Sequence, residues 1–75
     1  MALEAIISQP QAHRVILEEY PEGVYVLVFD SPDDPDPCRD NLQDDWPMAK
    51  RSALHRYGVT DDMWREIPDT GIMRR

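Results

Sequence analysis

The 75-residue sequence predicts a small α+β protein: an antiparallel sheet of two to three strands, one kinked helix packed across one face, and a short C-terminal helix, in the order β-β-β-α-α. Three observations carry that expectation. Residues 24–30 form a β-branched and aromatic run too short for a buried helix. Pro21, Glu22 and Gly23 make a turn joining it to a second apolar run upstream, with proline presetting φ and glycine free to take a positive one. From Leu42 onward the apolar residues recur instead at spacings of three and four, the repeat of a helix face.

Residues 3–8 read as an edge strand or a short helix. Strand is the better fit, because a hairpin alone is marginal and a third strand helps to bury it. Residues 8–12, containing Pro10, then turn the chain. Residues 13–20 form the second strand and residues 24–30 the third. The third is apolar on both faces: Val24, Val26 and Val28 point one way, and Tyr25, Leu27 and Phe29 the other. One helix covers only one side of a sheet, so homodimerisation or a partner surface is expected to cover the remainder.

Leu42, Trp46, Ala49, Ala53 and Tyr57 lie on one helical stripe, widened by Leu54. Asp40 and Gln43 resemble a capping box, and Gly58 suits the residue just past a helix end. Pro47 conflicts with a continuous helix from 40 to 57. Either the helix kinks there, or it begins near Asp45 with Trp46 and Pro47 in its first turn. Leu42 on the stripe favours the kinked helix. Thr60 is expected to cap a short helix over residues 61–67, stopped by Pro68, with residues 69–75 a loose tail. Residues 1–75 thus make one domain.

The net charge is −7, unevenly spread: residues 1–30 carry −4, residues 31–45 carry −5 and residues 46–75 carry +2. The centre of this asymmetry is the segment 30–45, with seven carboxylates and three prolines. Such a field repels nucleic acid and anionic membranes and steers a basic protein toward it. Asp33, Asp34 and Asp36, not required by a helix start, are the expected interaction residues, together with Trp64 on its short terminal helix. The pattern from Asp34 is not an EF-hand, since Cys38 and Arg39 fall where an acid and a glycine are needed. No metal ligand set or cofactor is therefore assigned.

Cys38 is the sole cysteine, so no internal disulfide exists, and a reducing, cytoplasmic setting is expected. His13, His55 and Cys38 lack the spacing of a zinc site. A metal-binding or Cys/His enzyme site at the Asp-rich loop, built around Cys38, His13 and the aspartates, is the alternative, and no catalytic residue is assigned without a convergent base and orienter. Lys50, Arg51 and Arg56 support a further alternative, weak nucleic-acid binding, which the acidic remainder opposes. The residues together point to a binding or regulatory module for a protein partner rather than to an enzyme.

Overall fold

The computed structural model describes residues 1–8 and 13–74; residues 9–12 of the expected turn at 8–12, and Arg75, lie outside the described residues. Five strands form one antiparallel sheet. In chain order they are β1 (Ala2–Ile7), β2 (His13–Tyr20), β3 (Gly23–Phe29), β4 (Arg39–Gln43) and, after the helix α1 (Trp46–Tyr57), β5 (Arg65–Ile67). Their spatial order is β4-β3-β2-β1-β5. The three expected strands are present, and β3 is central as its two apolar faces require.

Two segments correct the expected sheet of two to three strands with two helices. Residues 39–43 are a strand beside β3, paired from Val24↔Gln43 to Val28↔Arg39. The helix therefore does not run from 40 and does not kink. It begins after Asp45, whose carboxylate accepts from the Met48 N–H at 3.0 Å, and Pro47 occupies its first turn, where a missing N–H costs nothing. Leu42, expected on the helical stripe, is instead an exposed strand residue. Residues 61–67 are the second correction. Asp61–Met63 form a single 3₁₀ turn, and Arg65–Ile67 pair with the free edge of β1. Seven residues are too few for a stable helix without tertiary support, whereas the β1 edge offers a complete set of backbone partners.

The helix covers one face of the sheet. Ala49 and Ala53 are fully buried against Val15, Leu17, Val24, Val26 and Val28, with Trp46, Tyr57, Met63 and Trp64 packed around them. Small side chains at 49 and 53 let α1 lie close to the strands. Gly58 then ends it in the left-handed conformation (φ 73°), with its N–H donating to the Leu54 carbonyl at 3.0 Å.

The opposite face is closed by the chain itself. Ala2, Ile16, Leu27 and Phe29 are at most 1% exposed, with Ile72 and Met73 packed against them. Residues 70–74, expected to be a loose tail, are fastened here. Glu18, also buried, accepts from Thr70 N at 2.8 Å, Thr70 Oγ1 at 2.5 Å and Gly71 N at 3.3 Å, and Tyr20 Oη accepts from Met73 N at 3.2 Å. At the other end of that face the Arg14 guanidinium lies 4.2 Å from the centre of the Phe29 ring and donates to the Asp34 carbonyl at 3.0 Å. The apolar surface from which homodimerisation was expected is thus buried within one chain.

Candidate functional site

A concavity of about 520 Å³ runs along the outer side of α1. Helical geometry builds one wall from two adjacent rows of i, i+4 residues: Trp46, Lys50 and Leu54, and beside them Pro47, Arg51 and His55. The facing wall is Val59, Thr60 and Asp61, brought alongside the helix by the turn at Gly58. Val59 is buried, while Leu54 is 47% exposed. The Trp46 indole N–H donates to Glu19 Oε1 at 3.4 Å, which orients the ring at the groove's upper end. A shallower depression of about 280 Å³ lies on the far side of Arg51 and His55, lined also by Met48, Ser52 and Arg56. Arg51 and His55 therefore form a ridge shared by both hollows.

The basic side chains of this face make no ion pair among the described residues. α1 contains Lys50, Arg51, His55 and Arg56 and no acid. Among the described residues Arg14 and Arg65 pair with Glu4, and Arg74 pairs with Glu22, but none of the four α1 side chains makes an ion pair. His55 and Arg56 sit in the last turn, where the helix dipole favours positive charge. Asp61 is the single acid lining the groove, placed on its facing wall.

The aspartates of the 30–38 loop are placed differently. The Asp34 N–H donates to the Ser31 carbonyl at 3.2 Å and the Asp33 N–H to Ser31 Oγ at 3.3 Å, a turn with Pro32 at its corner. Asp33 and Asp36 are exposed, and Asp34 is half-buried with its carbonyl held by Arg14. Trp64 is not beside them. It packs into the helix-side cluster, and its indole N–H is buried without a hydrogen-bond partner among the described residues. Among the described residues no three His, Cys, Asp or Glu side chains are grouped to hold a metal ion.

Cys38 and His13 do converge, which the sequence spacing could not reveal. They line a cavity of about 250 Å³ with Asp30, Arg39 and Tyr57. The thiol, however, donates to the Val28 carbonyl at 3.3 Å. Desolvation of the sulfur and then the neighbouring Asp30 hold its pKa above the ordinary value, so the neutral thiol is the resting form. No helix dipole acts on it, because α1 starts seven residues beyond Arg39.

The sequence places Leu54 on the buried stripe and offers Lys50, Arg51 and Arg56 only as a weak nucleic-acid surface. One signal separates the two arrangements. Alanines at 49 and 53 centre the buried stripe, which leaves positions 48 and 54 on its flanks, outside the contact. No helix of the described residues is long and apolar enough to cross a membrane. Comparison with protein-family models, with curated proteins and with solved structures gave no match.

Proposed function

We propose that this chain is a small module that binds a protein partner, and that the outer side of α1 is its main contact surface. The observation supporting this is the combination of basic side chains without ion pairs and accessible apolar surface around one groove: Lys50, Arg51 and His55 beside exposed Leu54 and half-buried Trp46. Interfaces are recognised by apolar anchors in concave, partly polar surroundings more than by net hydrophobicity. Cations left without acids in a protein of charge −7 are a local exception to its field, and such exceptions direct encounter and orientation.

A second contact, for a basic segment of a partner, is favoured by the exposure of Asp33 and Asp36 at the tip of a loop whose backbone Arg14 and Ser31 hold in place. A pinned loop presents charge at a lower entropic cost than a mobile one.

Affinity capture from the native cell with three forms of the chain tests the reading. The parent chain, Lys50→Glu/Arg51→Glu and Asp33→Asn/Asp36→Asn are compared at equal loading. The reading expects captured proteins that the helix double variant loses. A capture profile identical in all three forms, or empty in all three, contradicts it.

A further inference from the structure

We propose that the α1 groove receives an extended acidic peptide segment carrying one apolar anchor, which seats between Leu54, Trp46 and Val59 while its carboxylates meet Lys50, Arg51 and His55. This deepens the binding-module reading and rests on it. Three features select this occupant.

The first is charge complementarity. The groove wall on α1 presents three basic side chains from successive turns, spaced by the i, i+1, i+5 pattern of Lys50, Arg51 and His55. The distance covered is about one and a half turns, roughly 8 Å of helix axis. An extended peptide advances about 3.3 Å per residue, so carboxylates two residues apart, on the same side of the strand, match that spread.

The second is the apolar part of the groove. Leu54 is 47% exposed, Trp46 is half-buried with its indole oriented by Glu19, and buried Val59 closes the space between them. An anchor of leucine or phenylalanine size covers these side chains, and burying it contributes about 1.5–3 kcal/mol, more than an exposed ion pair does. Attraction by charge and retention by the anchor are therefore separate contributions, measurable separately.

The third is polarity across the groove. Asp61 stands on the wall opposite the cations. It disfavours a carboxylate on that side and so fixes which edge of the segment faces the helix. A nucleic-acid strand, with a charge on every phosphate and no apolar anchor, gains less from this pattern.

Fluorescence anisotropy with defined probes tests the proposal on the full chain. The probes are a capped ten-residue peptide with one leucine among glutamates, the same peptide with lysine for every glutamate, the glutamate peptide with serine for leucine, and a ten-nucleotide oligouridylate. The glutamate–leucine peptide is expected to bind, and Arg51→Glu to weaken it by about fivefold. Leu54→Ser weakens it too, with little change in its salt dependence, and Asp61→Asn tightens it. These are exposed positions, and circular dichroism of each variant is expected to match that of the parent chain.

If the lysine peptide alone binds, and Asp33→Asn/Asp36→Asn abolishes it, the binding-module reading stands and the groove assignment falls. If the oligouridylate alone binds with Arg51 sensitivity, the acidic-peptide proposal is overturned in favour of nucleic acid. If the serine peptide binds as well as the leucine peptide, the anchor is wrong. Absence of binding by every probe overturns the proposal together with the module reading for these two surfaces.

Discussion

The buried carboxylate of Glu18 on β2 accepts the backbone N–H of Thr70, 52 residues away, at 2.8 Å. The Thr70 hydroxyl and the Gly71 N–H share the same carboxylate, so three donors from one terminal segment meet on Glu18. That segment carries Ile72 and Met73 onto the second face of the sheet. Replacing Glu18 with alanine removes three hydrogen bonds to a charged acceptor and is expected to cost about 3 kcal/mol, measured by urea denaturation. Thr70→Ala, which removes one donor, should cost about 1 kcal/mol. Equal stability of Glu18→Ala and the parent would show that residues 70–74 do not hold this face closed.

Gly23 and Gly58 both have positive φ, and they should respond differently to alanine. At Gly23 (φ 147°) an added Cβ would stand 2.4 Å from the Gln43 carbonyl oxygen, so β4 must move away from β3 to admit it. At Gly58 (φ 73°) a Cβ meets nothing within 4 Å, and only the left-handed backbone is penalised. Gly58→Ala is expected to lower stability by about 1 kcal/mol, and Gly23→Ala by about 3 kcal/mol, through backbone strain and the clash together. Urea midpoints in the reverse order would contradict the β3–β4 pairing.

The start of the helix is testable with two aspartates. Asp45 caps the Met48 N–H, so Asp45→Ala should cost about 1 kcal/mol. Asp40 lies exposed on β4, and Asp40→Ala should stay within about 0.5 kcal/mol. A helix beginning at 40 would invert that ranking.

Cys38 should react slowly with iodoacetamide near neutral pH. Its pKa is raised by desolvation first and by Asp30 second, so the thiolate fraction is below that of an unfolded chain at any pH beneath the shifted value. The sign for stability follows: a raised folded pKa means that the contribution is complete below the unfolded thiol pKa and is lost as pH rises through the folded one. Alkylation rates measured from pH 7 to 11 should rise at higher pH for the native chain than for the chain in urea. Coincident profiles would contradict the protonated resting thiol, and Asp30→Asn should shift the native profile toward the unfolded one.

Much of this fold is legible in the residues. The β2–β3 hairpin follows from alternation and the Pro21–Gly23 turn, and the C-terminal end of α1 follows from Gly58. Pro47 carried the helix start as well, since a proline belongs in a first turn; the competing signal was Leu42, whose spacing from Trp46 is helical only by coincidence. β4 and β5 were hidden for a different reason. Neither RDNLQ nor REI has a strong strand composition, and both are strands because β3 and β1 would otherwise present bare backbone edges. The groove was hidden because exposure of Leu54 depends on how closely Ala49 and Ala53 seat the helix, a tertiary quantity. The convergence of His13 and Cys38 depends likewise on the β3–β4 pairing.

The two tryptophans provide the most direct measurement of the central claim, that partners are recognised in the α1 groove. Trp46 lines the groove with its indole N–H on Glu19, whereas Trp64 is packed in the helix-side cluster and does not line it. In a ¹⁵N-labelled chain each gives its own indole N–H resonance. Titration with the glutamate–leucine peptide is predicted to shift the Trp46 indole signal progressively, with the Lys50, Arg51 and Leu54 amides, and to leave the Trp64 indole in place. A titration that moves neither indole, or that moves only amides of residues 30–38, would contradict the account.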